Sequence, residues 1–212
     1  YQRYEECFKG AAPDIVQKCF QMLVVTLSLP INESDNNSKD INLLVNILSL
    51  IQFYNKFIPP EQDYINILLD SSKLMPSDIE YFNSFPELFY YNIYERTRIS
   101  KHASPQSLSR SIIAYIVTNN PEISSNIIEY LLSIPPTENV IRCLSLCLKT
   151  YENENLPESL FPYFIQLIEN PAFQQDPILL CSVLNFFRSF VRFLSIEPKI
   201  HLMEILPNYF NI

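Results

Sequence analysis

Residues 104–134 read SPQSLSRSIIAYIVTNNPEISSNIIEYLLSI. Two helices are written there in one grammar: a capping residue, a proline, then apolar residues three and four apart. Ser104-Pro105 leads into Leu108, Ile112, Tyr115 and Ile116; Asn120-Pro121 leads into Ile123, Ile127, Leu131 and Ile134. Serine and asparagine oxygens accept the open N–H groups of a first helical turn. Proline at the first position gives up only an N–H that has no partner anyway.

The grammar recurs along the chain. Asp176-Pro177 precedes Leu180, Val183, Leu184, Phe187, Phe190, Val191 and Leu194. Thr137 caps a run with Val140, Leu144, Cys147, Leu148 and Tyr151. Pro157 opens one with Leu160, Phe161, Phe164, Ile165 and Ile168, and Pro198 opens the last, with Ile200, Leu202, Met203, Ile205 and Leu206. Upstream, Pro13 starts a helix striped by Ile15, Cys19, Leu23 and Leu27, and Asp40 caps one striped by Ile41, Leu44, Ile47, Leu48, Ile51 and Tyr54. Asn32 to Lys39, polar and rich in Ser and Asn, reads as the loop between them.

Composition agrees. The 212 residues hold 16 prolines and one glycine, Gly10. Tight hairpins lean on glycine, which argues against a hairpin-rich sheet, and the phosphate-cradling and dinucleotide motifs need glycines at fixed spacing, so those are excluded. At 48% hydrophobic and 18% charged the chain can bury a core. It has no run of 18 apolar residues, so no membrane span is expected. The net charge of −8 argues against strong nucleic-acid binding and favours a basic protein partner. The five cysteines, Cys7, Cys19, Cys143, Cys147 and Cys181, form no C-x-x-C and read as reduced, packed thiols. His102 and His201 lie in no nucleophile or metal motif, so the chain reads as a binding protein rather than an enzyme, with no cofactor. The basic residues Arg96, Arg98, Lys101 and Arg110 read as partners of Asp78, Glu80 or Glu95, or as solvated.

The helix starts near Pro105, Thr137 and Pro177 lie 32 and 40 residues apart. That period fits antiparallel helix pairs stacked as HEAT or armadillo units, with a single bundle as the competing arrangement. The expectation is an all-α, HEAT-like helical-repeat solenoid over 1–212. It holds a first pair and following helix at 13–72, an irregular segment at 73–103, and three further pairs at 104–212. Phe186, Phe187, Phe190 and Phe193 surround much of a helix from Asp176 to Ile196, which is then buried on two sides. A chain starting at Tyr1 without methionine reads as a fragment.

Segment 73–103 breaks the pattern. Aromatics crowd it, Pro76 and Pro86 open two short helices, and Glu61 to Arg96 carries seven acidic and two basic residues. The segment reads either as a long inter-repeat connection pinned by its aromatics or as a partner-contacting insertion, since long ordered connections of this kind often carry function. The candidate contact residues are Asp78, Glu80, Phe82, Pro86, Glu87, Phe89 and Glu95.

At this segment the chain resembles the importin-β superfamily of nuclear transport receptors. The likeness is to the branch of importins seven and eight and of the exportin that recycles importin-α. Members carry an acidic stretch, an aromatic, then a D-P-x-E-[YF]-like element before a helix pair. Asp78 and Glu80 stand in the acidic stretch, Phe82 at the aromatic, Pro86 at the proline and Phe89 at the closing aromatic. Phe85 and Leu88 replace acidic residues of that pattern. The likeness covers Leu74 to Asn119. It implies a solenoid from the middle repeats of a receptor that binds Ran in its GTP form, basic protein cargo and phenylalanine-rich nucleoporin repeats. It also implies shuttling between cytoplasm and nucleus. A helical-repeat scaffold or adaptor subunit shares the stripes and prolines without the Ran dependence.

Overall fold

The computed structural model describes residues 10–29, 37–90, 104–151 and 157–210. All regular structure among them is helical, in twelve α-helices and two 3₁₀ turns. The chain divides into two compact units, residues 1–116 and 117–212.

The first unit holds α1 (Ala12–Ser28), α2 (Asn37–Phe53), α3 (Gln62–Ser71), α4 (Pro76–Ser84), α5 (Pro86–Tyr90) and most of α6 (Pro105–Asn119). The second holds α7 (Pro121–Ser133), α8 (Glu138–Thr150), α9 (Leu160–Glu169), α10 (Pro171–Gln175), α11 (Pro177–Phe190) and α12 (Ile196–Phe210). Proline is the first residue of six of these helices, as the cap-then-proline pattern predicts.

Several helix ends share one form. Ile134, Tyr151, Asn170 and Asp176 close helices in extended conformations, with ψ of 144°, 121°, 115° and 108°. A chain this poor in glycine lacks the usual left-handed C-cap, and these four helices leave extended instead; α3 and α11 end on right-handed residues, Ser72 and Val191. An extended residue is also what a following proline requires. Two residues therefore serve two helices each. Asn170 closes α9 and its Oδ1 accepts from the Ala172 N–H (3.0 Å), opening α10. Asp176 closes α10 and accepts from the N–H groups of Ile178 (2.9 Å) and Leu179 (3.2 Å), opening α11.

Some boundaries differ from the sequence pattern. α2 begins at Asn37, three residues ahead of Asp40, because Asn37 and Ser38 extend the helix into the expected loop. The rest of that loop, 32–36, lies outside the described residues. α9 begins at Leu160, since Pro157 lies in a preceding turn whose carbonyl accepts from the Leu160 N–H (3.1 Å). α12 begins two residues before Pro198. Asn120 and Thr137 cap by position only; the Thr137 hydroxyl is engaged with Asn139 Oδ1 (2.8 Å). The long helix expected from Asp176 to Ile196 stops at Phe190 and tightens into a 3₁₀ turn over Val191–Phe193.

In the first unit α1 buries Ala12, Val16, Cys19, Phe20 and Leu23 against α2 and α3. The buried stripe is rotated from the expected one: Ile15 and Leu27 are only half-buried, and Val16 and Phe20 are inside. α2 contributes Leu44, Ile47, Leu48 and Ile51; α3 contributes Ile65, Leu68 and Leu69. The Phe20 ring meets Tyr64 edge-on, centroids 4.5 Å apart. α3 joins α6 through a buried hydroxyl pair, Ser71 and Ser109, with oxygens 2.6 Å apart. Their carbonyl acceptors are Leu68 (2.8 Å) and Pro105 (2.8 Å) on their own helices. One hydroxyl bonds across the interface and the other bonds its own helix, so neither polar group is stranded.

The second unit is built around α8, which buries Val140, Ile141, Cys143, Leu144, Cys147 and Leu148. α11 lies along it. Ser145 meets Ser189 (2.8 Å) and the carbonyl of Asn185 (3.1 Å), a second buried serine pair between helices 44 residues apart. Serine brings the backbones close while keeping its hydroxyl satisfied. Phe186 and Phe190 of α11 are fully buried and pack on Phe164 of α9. The expected burial on two sides is not found: the buried residues share one face, Phe187 is half-buried and Leu184 is exposed. Arg142, 2% exposed, pairs with Glu138 one turn back. Such a pair costs stability chiefly when one partner is removed.

Within the 3₁₀ turn, Arg192 reaches back to the open end of α8. Its guanidinium donates to the carbonyls of Leu148 (2.7 Å), Lys149 (3.2 Å) and Tyr151 (3.3 Å) and lies 4.5 Å from the Phe193 ring centre. A cation at a helix C-terminus also meets the negative end of the dipole. Arg192→Ala is expected to lower unfolding stability by about 1–2 kcal/mol in a denaturant titration. An unchanged midpoint would remove this capping role.

Candidate functional site

The segment singled out by its aromatics and acids forms two short helices, α4 and α5, opened by Pro76 and Pro86 as expected. Asp78 anchors it. Its Oδ2 accepts from the Met75 N–H (2.7 Å) and from the Gln106 side-chain amide (2.9 Å). Gln106 is buried at the start of α6 and also donates to the Lys73 carbonyl (3.2 Å). One carboxylate thus caps the first turn of α4 and fastens it to α6. Charge-assisted bonds of this kind contribute roughly 1.5–3 kcal/mol. Asp78 is held by its own chain rather than presented to a partner.

The aromatics divide in the same way. Phe89 is 1% exposed. Phe82 packs edge-on against it at 5.2 Å, and Tyr81 lies 6.3 Å from it. Phe89 is therefore internal to this hairpin, correcting its assignment as a contact residue, while Phe82 is half-buried against it. Glu80, Pro86 and Glu87 are exposed as expected. Glu95 lies outside the described residues.

Three apolar residues complete the outward face: Ile79, Phe85 and Leu88, 45%, 56% and 53% exposed. The contact assignment left them out, although Phe85 and Leu88 stood out as the positions where acids are replaced. Helical periodicity could not find them, because it sorts residues by stripe and α5 is barely one turn long. Among the described residues neither Glu80 nor Glu87 has an ion-pair partner; the exposed pair nearby is Lys73 with Asp70 (2.7 Å). The surface offers two free carboxylates beside three apolar side chains. That arrangement suits a partner segment that is itself basic and apolar.

Other chemistry is sparse. Among the described residues there is no cluster of three or more His, Cys, Asp or Glu able to hold a metal ion, and no helix is long and apolar enough to cross a membrane. His201 is exposed on α12 beside Phe161, centroids 6.4 Å apart. Arg110 is buried and its Nε donates to the Gln106 carbonyl (2.9 Å), so it is not a solvated cation. Cys7, His102, Arg96, Arg98 and Lys101 lie outside the described residues.

Cys19, Cys143, Cys147 and Cys181 are free thiols. Cys147 is held well above the ordinary thiol range by its hydrogen bond to Cys143, then by burial. Burial also raises Cys19 and Cys181, with Arg142 pulling Cys181 partly back. The thiolate is the reactive form, so a raised pKa and burial both slow alkylation. At pH 8, peptide mapping after iodoacetamide is expected to show Cys181 modified well before Cys143 and Cys147. Equal rates for the three would contradict the packing of α8.

The anchoring of Asp78 separates it from its acidic neighbours. Asp78→Ala is expected to cost about 1.5–3 kcal/mol in thermal or denaturant unfolding. Glu80→Gln and Glu87→Gln are expected to stay within about 0.5 kcal/mol of the parent. Equal effects of all three substitutions would undo the division between anchor and surface.

No protein-family model, no curated protein and no solved structure matches this chain.

Proposed function

We propose that this chain is a HEAT-like stretch of a nuclear transport receptor that binds Ran-GTP and basic protein cargo on a curved helical-repeat surface. The observation that carries the reading is the α4–α5 hairpin. It stands between regular helices, is anchored by Asp78, and turns Glu80, Glu87, Ile79, Phe85 and Leu88 outward. The net charge of −8 favours a basic partner by long-range attraction. The buried serine pairs support stacked repeats, since each joins helices 38 or 44 residues apart, near one two-helix repeat length. Phenylalanine-rich nucleoporin repeats are a further partner under this reading, and shuttling through the nuclear pore follows from it.

A non-transport scaffold or adaptor subunit is the competing role. It would use the same helical surfaces without nucleotide-dependent release. A pull-down with the full protein, comparing Ran loaded with GTP and with GDP at near-physiological salt, separates the two. Selective retention of the GTP form is the expected result. Binding to neither form, by protein shown to be folded, would leave the scaffold role.

A further inference from the structure

Within the second unit, the end of α7 and the Pro135-Pro136 connection border a partly open groove of about 340 Å³. The end of α9 and Phe173 of α10 form the rest of its wall. No ionised side chain lines it.

Some carbonyls at this groove lack a helical donor for a reason written in the sequence. A helical carbonyl is normally taken by the N–H four residues on. For Leu131 and Leu132 those positions are Pro135 and Pro136; for Leu167 the position is Pro171. Proline has no N–H. Three carbonyls at the ends of α7 and α9 are thus left without a helical donor, and among the described residues no other backbone bond reaches them. Leu132 and Leu167 both line the groove. Two helix C-termini, each with partial negative charge, end there.

An independent group points the same way. Tyr163 lines the groove, is 8% exposed, and its buried hydroxyl has no hydrogen-bond partner. Leaving such a group unpaired costs about 1–3 kcal/mol. Burial raises its pKa, so it stays a neutral phenol able to accept or donate.

An anion would meet open carbonyls and no cation. A purely apolar ligand would leave the carbonyls and the phenol unpaired. A ligand with an apolar body and a head rich in N–H donors satisfies both. We propose that this groove is a docking site for an arginine side chain carried by a basic peptide segment. The aliphatic stem lies on Leu132, Pro135 and Leu167, and the guanidinium presents its fixed fork of five donors to carbonyl and phenol oxygens. Residues 117–212 carry ten acidic and five basic side chains, so the surrounding field favours a cation. The assignment stands on the groove alone, apart from Ran dependence.

The test uses the whole chain and three capped pentapeptides of alanine with one central variable residue: arginine, its neutral isostere citrulline, or norleucine. Dissociation constants are read by ligand-observed NMR. The arginine peptide is expected to bind at least about tenfold more tightly than the other two. Tyr163→Phe removes the phenol oxygen. Pro136→Ala adds a backbone N–H to the connection beside the Leu132 carbonyl, a donor that competes with the ligand for it. Each is expected to weaken the arginine peptide by about fivefold with unchanged circular dichroism. If Tyr163→Phe disturbs the fold, Pro136→Ala carries the comparison. Norleucine binding as tightly as arginine would overturn the proposal in favour of an apolar slot. Arginine affinity unchanged in both variants would overturn it in favour of diffuse acidic attraction, and absence of binding at millimolar peptide would overturn it outright.

Discussion

Everything in this chain is arranged around helices that must end without glycine. A left-handed residue lets the last carbonyls of a helix fold back onto following N–H groups. Here α7, α9 and α10 leave in extended conformation instead, each followed by a proline. The reward is economy at the joints, where Asn170 and Asp176 each finish one helix and start another. The cost is a set of carbonyls with nothing to accept. The second unit meets that cost in two ways. Arg192 supplies donors to the end of α8 from a distant turn. At the ends of α7 and α9 the shortage remains, beside the unpartnered hydroxyl of Tyr163.

Between the helices, small polar residues set the spacing. Ser71 with Ser109, and Ser145 with Ser189, sit where a larger residue would push the backbones apart. Each hydroxyl pair is closed on itself and on a helix carbonyl, so close approach leaves no stranded polar group. The aromatics behave differently. Phe164, Phe186 and Phe190 fill volume and pack at tilted angles, which favours their ring quadrupoles.

Much of the helical layout was legible in the sequence because capping residues, prolines and apolar spacing are local signals. The starts at Pro76, Pro86, Pro105, Pro121 and Pro177 needed nothing more. α10 passed unread although Asn170-Pro171 has the same grammar, because five residues are too few to show a period. The break after Phe190 was hidden for the opposite reason: the apolar pattern continues through Val191 and Leu194 while the backbone tightens. At the candidate surface, acidity alone did not distinguish a carboxylate that ties α4 to α6 from two that face solvent. Asp78 and Glu80 are two residues apart and look alike in sequence; only Gln106, 28 positions away, separates their roles. The apolar component of that surface escaped because exposure of Phe85 and Leu88 depends on which face of a one-turn helix the rest of the unit covers.

The reach of Arg192 has a consequence for synthesis. A chain made from its N-terminus produces α8 complete by Thr150, yet the donors for the carbonyls of Leu148, Lys149 and Tyr151 come 41–44 residues later. At roughly 5–20 residues per second that is a wait of about 2–9 seconds. Through that interval those carbonyls lack the donors that Arg192 brings, and Ser145 lacks Ser189. The end of α8 is completed only once the chain has been made through the turn that follows α11.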